Sequence, residues 1–287
     1  MLEINHVSKS YGKVNALCNF SCKLGEGIYG LLGPNGSGKS TLMNILTDNI
    51  GCDGGTILLD GALIRKHDKR FRASIGYMPQ YCEMIPEFSC IDFLNYMAVL
   101  KGIEHKTIAS QIDCLLKKFE LDDVKLRKIS SFSGGMKQRL MLIQAFLGEP
   151  KIVLLDEPTA GLDPKQRIFV KNFISEQSLG KIIVIATHII SDIEHIAHGV
   201  ICLKKGETVF SGAPGGMAEM AQGMVWSYCG NSDELNEMKE NFRIIAISGD
   251  GEKTHFRILA PSKPLESAIE QKPTIEDAYM LLYGDAQ

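Results

Sequence analysis

Apolar residues 1 to about 30 come in short groups, Leu2 with Ile4, Ala16-Leu17, and Ile28 to Leu32, each bounded by Gly, Asn or Lys. That spacing predicts short strands. A glycine-rich turn, Gly33 to Gly38, follows Ile28-Tyr-Gly-Leu-Leu32, and Leu42, Ile45 and Leu46 then recur at helical spacing. The order expected there is strand, glycine loop, helix. Between 90 and 118, Ile91, Leu94, Met97, Ala98 and Leu100, then Ile112, Leu115, Leu116 and Phe119, fit a 3.6-residue period and predict a helical insertion. Two continuous apolar runs follow, Ile152 to Leu155 and Ile182 to Ala186, separated by a helix-like stretch around Lys165 to Gln177. Short apolar runs alternating with helices predict a buried parallel sheet, hence an α/β fold.

Ser211-Gly-Ala-Pro-Gly-Gly216 interrupts this pattern and is followed by a more polar stretch, which places a domain boundary near 212. Beyond it, Arg243 to Ser248 and His255 to Ala260 read as strands, and Thr274 to Tyr283, behind Pro273, as a helix. No chemistry is legible in this tail.

The 287 residues suffice for one or two domains with a full core. Hydrophobic residues at 45% and charged residues at 23% fit a globular chain rather than a disordered or fibrous one. With 31 Lys and Arg against 34 Asp and Glu, no basic excess favours phosphate backbones, so no nucleic-acid partner is expected. The eight cysteines include no CxxC pair and read as reduced thiols of a cytosolic protein. No apolar run approaches a membrane span. Met1 to His6 lacks the basic and apolar regions of a signal peptide, so secretion is not expected. Arg65-Lys-His-Asp-Lys-Arg-Phe-Arg72 reads as a solvated face, with a lipid headgroup or partner contact as the alternative.

Gly33-Pro-Asn-Gly-Ser-Gly-Lys-Ser40 matches the phosphate-loop pattern G-x-x-x-x-G-K-[ST]. Glycines let successive backbone N–H groups turn inward, and the helix N-terminus adds its own, so the natural occupant is a triphosphate. Lys39 is placed to reach its outer phosphates and the Ser40 hydroxyl to coordinate magnesium. The run Ile152-Val-Leu-Leu-Asp-Glu157 buries a strand and delivers two carboxylates to the rim of the sheet. Asp156 is placed to hold magnesium and Glu157 to polarise an attacking water, although two acids can also open the next helix.

With these motifs, the chain resembles the nucleotide-binding subunit of an ATP-binding cassette (ABC) transporter over residues 1 to about 212. The most specific mark is Phe132-Ser-Gly-Gly-Met-Lys-Gln-Arg139, similar to the family signature, with Phe132 and Met136 replacing the more usual Leu and Gln. The resemblance implies a P-loop NTPase cassette with a RecA-like core, an antiparallel β subdomain and an inserted helical subdomain at about 82–148. Residues 213–287 are then a small α+β appendage. It also implies that Tyr11 stacks on adenine and that the loop Gly33, Pro34, Asn35, Gly36, Ser37, Gly38, Lys39, Ser40 and Thr41 holds the phosphates. Gln80, in Tyr77-Met-Pro-Gln80, senses magnesium and water; Ser133, Gly134 and Gly135 contact the γ-phosphate held by the opposite subunit. Asp163 belongs to the D-loop, Ala160-Gly-Leu-Asp163, and His188 is the switch histidine. By themselves Tyr11 reads equally as strand packing, Gln80 as a loop polar residue and Ser133-Gly-Gly135 as a helix cap.

The activity implied is magnesium-dependent ATP hydrolysis at two composite sites of a homodimer, formed in the ATP-bound state. It would power a separate integral membrane permease from the inner face of the cell membrane. The closing Thr274 to Gly284 segment is similar to that of export-type cassettes, those for drugs, antibiotics and bacteriocins, which favours export; a plain amphipathic helix fits it too. Two further readings are a cassette ATPase acting in translation or DNA repair and a nucleotide-regulated module without turnover. Translation-type members carry two cassettes and repair-type members a long coiled coil, while intact Lys39, Asp156, Glu157 and His188 argue for turnover.

Overall fold

A computed structural model describes residues 1–64, 68–81, 84–249 and 253–284. The chain divides into two compact units, Met1–Thr208 and Val209–Gln287.

In the first unit, β1 (Leu2–Tyr11), β2 (Val14–Leu24) and β3 (Gly27–Leu32) lead to α1 (Lys39–Leu46). Next come β4 (Gly54–Leu59), β5 (Ala62–Leu63), α2 (Lys69–Ala73) and β6 (Ile75–Met78). Three helices follow, α3 (Cys90–Leu100), α4 (His105–Lys118) and α5 (Gly134–Phe146). The unit then runs through β7 (Ile152–Asp156), α6 (Pro164–Glu176), β8 (Ile182–Thr187) and β9 (Gly199–Lys204) into β10 (Glu207–Gly212), within which the division falls.

The sheet that organises this unit has the order β10-β9-β3-β8-β7-β6, and every pairing from β9 to β6 is parallel. Its continuous apolar strands are enclosed on both faces: every residue of β7 and β8 is buried. A second sheet, β2-β1-β4-β5, is antiparallel. Leu2, Ile4, Phe20 and Leu24 from that sheet share one apolar core with Met43 of α1 and Leu154 of β7. The first strands are longer than their apolar spacing predicts, 10 and 11 residues for β1 and β2. Register shifts between Ile4 and Val7 and between Val7 and Lys9 interrupt the alternation that would have shown it.

The helical insertion breaks after Leu100, and Gly102 takes φ +70° in the turn between α3 and α4. Lys101 donates to the carbonyls of Gln144 at 2.7 Å and Leu147 at 3.3 Å, satisfying the end of α5, and burial pushes its pKa down to about 8. Helix α5 lies so close to β6 that a Cβ on Gly76 would stand 1.8 Å from the Ala145 carbonyl oxygen. Of the basic cluster, Arg65, Lys66 and His67 lie outside the described residues. The remainder forms α2, capped by Asp68, with Arg70 and Arg72 exposed and Phe71 buried.

The second unit holds α7 (Pro214–Glu219), β11 (Val225–Asn231), α8 (Leu235–Asn241), β12 (Arg243–Gly249), β13 (Lys253–Leu259), β14 (Ile269–Glu270) and α9 (Ile275–Tyr283). Its antiparallel sheet has the order β12-β13-β11-β14, two strands more than the apolar runs alone predict. Phe256 and Ile258 pack with Met238 of α8 on one face, and Phe256 stacks on Tyr228 with centroids 5.9 Å apart. Thr274 caps α9 in a capping box with Asp277, and Arg257 of β13 donates through Nε to Asp277 Oδ1 at 2.8 Å. Burial drives the Asp277 pKa upward, but the Arg257 and Thr274 donors outweigh it and hold the carboxyl below its usual range.

The contact at Gly76 makes a direct prediction. Gly76→Ala meets backbone rather than a movable side chain and should destabilise the chain by about 2 kcal/mol or more, read as a lower midpoint in urea unfolding.

Candidate nucleotide site

Four neighbouring strands, in the order β3-β8-β7-β6, end on the same edge of the sheet because they run parallel. The 33–38 loop leaves β3, His188 follows β8, Asp156 closes β7 with Glu157 behind it, and Gln80 lies just beyond β6. Residues far apart in sequence therefore meet at the carboxyl rim, where open α/β sheets hold ligands.

The loop is shaped by glycines at positive φ. Gly33 has φ +154°, and a Cβ there would stand 2.4 Å from the Leu203 carbonyl oxygen; Gly38 has φ +111°, with Ala16 O at 2.5 Å from its would-be Cβ. Gly36, at φ +76°, faces open space. Gly38 is also the N-cap of α1, so no side chain caps that helix and no acid lies in its first turn. Its first N–H groups are left for an anion. Buried Ser37 keeps an Oγ with no hydrogen-bond partner. Lys39 folds back, donating through Nζ to Gly33 O at 2.6 Å and Pro34 O at 3.1 Å. Those are carbonyl bonds that a phosphate oxygen, being charged, can outcompete.

Asp156 and Glu157 are both buried, with relative exposures of 6% and 5%. Burial, and then the neighbouring Glu157, push the Asp156 pKa up to about 6, with Lys39 pulling the other way. Lys39 is itself lowered by burial, against the two carboxylates. Burial, and then Asp156, raise the Tyr77 hydroxyl to about 12.

Glu157 adopts φ +52°, a left-handed conformation costly for a residue with a Cβ, fixed by its N–H donating to Ala186 O at 2.8 Å. Three donors converge on its carboxylate. Thr187 Oγ1 reaches Oε2 at 3.1 Å; the His188 backbone N–H and ring Nδ1 reach Oε1 at 3.1 and 2.7 Å. Opposite an ionised carboxylate, Nδ1 carries the hydrogen, which leaves Nε2 on the ring's outer side; the imidazole is 60% exposed.

Of the other expected site residues, Gln80 is on the rim, and Tyr11, Ser133 to Gly135 and Asp163 lie elsewhere in the unit. Tyr11 ends β1 and is half exposed, with Lys9 Nζ 5.7 Å from its ring centroid. Its hairpin partner β2 carries Ala16, whose carbonyl lies against Gly38. Gln80 is exposed. Ser133 caps α5, accepting from Met136 N at 3.3 Å, and Ser133 and Gly134 are exposed. Asp163 caps α6, accepting from Gln166 N at 2.8 Å.

Sequence reasoning missed two residues. Thr187 orients Glu157 and also accepts from Ile189 N at 3.0 Å; its place before His188 was the available signal. Gln138 donates to the carbonyls of Glu157 at 3.0 Å and Pro158 at 3.1 Å, tying α5 to the end of β7. Nothing local announces that contact.

The raised Asp156 pKa fixes a sign. Between the unfolded value, near 4, and about 6, the folded chain binds more protons, so the carboxylate costs stability as pH rises. Relative to Asp156→Asn, the nucleotide-free wild type should lose up to about 3 kcal/mol between pH 4 and 7, measured by urea unfolding at each pH.

The ABC transporter family matches residues 17–160. The chain is 30% identical to a Nod factor export ATP-binding protein I of Burkholderia orbicola (strain AU 1054), over 99% of this chain and 97% of that one. It is 35% identical to the lantibiotic transport ATP-binding protein SrtF of Streptococcus pyogenes, over 73% of this chain and 89% of that protein. Among solved structures, the ATP-binding subunit of an ABC transporter superposes with TM-score 0.71 at 26% identity, covering 77% of this chain and 92% of its own. A dimeric cassette in a post-hydrolysis state with ADP and Pi superposes with TM-score 0.68 at 26% identity, covering 74% and 98%. A phosphate loop, a buried acidic pair and a histidine on one sheet edge, in a chain with these relatives, make this protein a member of the ABC transporter family: a P-loop ATP-binding cassette and an ATPase.

Proposed function

We propose that this ATPase is the energising subunit of an exporter whose membrane-spanning permease is a separate polypeptide, and that it turns over as a magnesium-dependent homodimer. The observation that carries the reading is the meeting of the 33–38 loop, Asp156-Glu157 and His188 at the carboxyl ends of β3, β7 and β8. Resemblance to export proteins across nearly the whole chain favours the direction. The cassette is taken as residues 1–212, with its helical subdomain at about 82–148, and 213–287 as an accessory domain.

In this reading the triphosphate lies against the uncapped N-terminus of α1, within the loop from Gly33 to Thr41. Lys39 moves from its two carbonyls to the phosphates, and Tyr11, exposed at the end of its hairpin, stacks on the base. The oxygens of Ser40 and Asp156, with Gln80 beside them, suit magnesium, which would supply charge neutralisation between phosphates. Glu157 polarises the attacking water, and the three donors on its carboxylate set its direction. The outward Nε2 of His188 is the group for the γ-phosphate. Ser133 already accepts from Met136 N, but its hydroxyl hydrogen remains free for a phosphate oxygen of the other subunit, with the Gly134 and Gly135 N–H groups beside it. Asp163, at the corner before α6, faces the same interface.

Among the described residues, no helix is long and apolar enough to cross a membrane, so the membrane part belongs to the permease. A groove of about 500 Å³ beside Gln80, lined by Tyr77, Pro79, Phe93, Tyr96 and Lys101, suits it, with Val99 and Leu100 exposed nearby on α3. This partnership places the chain on the inner face of the cell membrane.

Two experiments test the reading. Glu157→Gln, purified with its membrane partner from the native host, should lose turnover at least about 100-fold while keeping ATP affinity within about threefold. Undiminished phosphate release in that variant removes Glu157 from the role of base. In sedimentation, the Glu157→Gln chain should become dimeric with ATP and magnesium, and added Ser133→Ala should weaken that dimer; a monomer at every ATP concentration refutes the composite site.

A further inference from the structure

Outside the rim, one buried acid has half its bonding capacity unfilled. Asp192 ends the 3-10 turn Ile190–Asp192 directly behind His188, and its side chain is 1% exposed. Thr159 Oγ1 donates to its Oδ2. Its Oδ1 has no hydrogen-bond partner and stands 4.0 Å from Arg167 Nε, which is also buried and without one. One turn further along α6, Lys171 Nζ donates to Ser191 O at 2.9 Å. Arg167 and Lys171, spaced i and i+4, lie on one side of α6 and face two consecutive residues of the turn, of which only Ser191 is bonded.

The turn is also fixed to the rim. Asp192 N–H donates to Ile189 O at 3.1 Å, and Ile189 N–H to Thr187 Oγ1, the hydroxyl that donates to Glu157. Thr159 opens the bend into α6, its carbonyl accepting from Leu162 N at 3.2 Å one residue before the Asp163 cap. Asp192 is thus held from the start of that bend and approached from the first turn of the helix beyond it. A buried carboxylate oxygen and a buried guanidinium N–H left short of contact are costly, and a small shift of α6 toward Asp192 would join them.

We propose that Asp192 is a positioning residue that makes the His188–Glu157 contact depend on where α6 begins, so that displacement at the Asp163 corner is relayed to the switch histidine. The catalytic meaning of this tie rests on the roles proposed above for Glu157 and His188; the tie itself does not.

The test is amide hydrogen exchange on the full-length chain without nucleotide, together with the ¹⁵N signals of the His188 ring, assigned by their loss in His188→Gln. Asp192→Asn and Thr159→Val should each speed exchange at the His188 and Ile189 amides at least about tenfold and move the His188 Nδ1 signal. Thr159→Ser should match wild type, and the double variant Thr159→Val with Asp192→Asn should be no worse than the worse single one. Lys171→Met, a change at a half-buried position outside the apolar core, should give a smaller acceleration of the same amides and covers the case in which a buried variant fails to fold. With the membrane partner, Thr159→Val should lower kcat for ATP several-fold with KM unchanged. Exchange and ring signals unchanged in the folded variants overturn the proposal, as does Thr159→Ser behaving like Thr159→Val. Full turnover in Glu157→Gln would remove the catalytic reading while leaving the exchange result to decide the tie.

Discussion

The structure depends on one electrostatic arrangement, two adjacent buried carboxylates facing a single buried ammonium. Asp156 closes a strand with no exposed residue and Glu157 follows it, and Lys39 is a buried cation close enough for its charge to act on them. Burial disfavours every charge there: it raises the Asp156 pKa, with the neighbouring Glu157 adding repulsion, and it lowers that of Lys39 against the pull of the two carboxylates. The rest of the rim relieves this penalty. Thr187 and His188 donate to Glu157, and the uncapped N-terminus of α1 adds a positive field without adding a charge. An anion with a divalent cation would complete this balance, and a nucleotide with its metal is such a pair.

That arrangement follows from the parallel sheet. Parallel strands put all their carboxyl ends on one edge, and the order β3-β8-β7-β6 makes neighbours of segments that the chain visits at widely separated times. The price is strain at Glu157, which takes a left-handed backbone while its carboxylate is held by three donors. A left-handed non-glycine residue so firmly held has a fixed direction, which suits the water-aligning role proposed for Glu157.

Features of the chain were legible in sequence to the extent that they were local. The phosphate loop, the apolar runs of β7 and β8 and the acids behind β7 each announce themselves within a dozen residues, and helix α6 departs from its expected span by one residue at each end. The lengths of β1 and β2 were hidden because bulges shift the register and break the period of two. β9 escaped: its apolar stretch, Val200 to Leu203, is four residues long and lies between Gly199 and the charged pair Lys204-Lys205. In the second unit β11 was missed because its apolar residues Val225, Trp226 and Tyr228 are interrupted by Ser227 and soon followed by Gly230-Asn231, which leaves neither a continuous run nor a long alternation. The contacts of Gln138 with the Glu157 carbonyl and of Thr159 with Asp192 span 19 and 33 positions, and no local preference encodes them.

The same distinction separates binding from control. Phosphate recognition needs a loop and a helix end, which one short segment provides, and it was readable from that segment alone. Control requires that the geometry at Glu157 respond to something outside the chain, and the means for that are long-range and incompletely satisfied. Gln138 joins the end of β7 to the helix that begins at Ser133, and Thr159 with Arg167 joins the turn behind His188 to the helix that begins after Asp163. Both helices start at exposed caps, Ser133 and Asp163; further along, α5 is fastened to the Glu157 carbonyl by Gln138 and α6 to the turn behind His188 by Lys171. A second copy pressing on those caps would therefore act on Glu157 from two sides, through backbone carbonyls on one and through His188 on the other. Coupling of this kind needs no conformational change within the sheet, whose buried strands can remain fixed while the helices that border them shift.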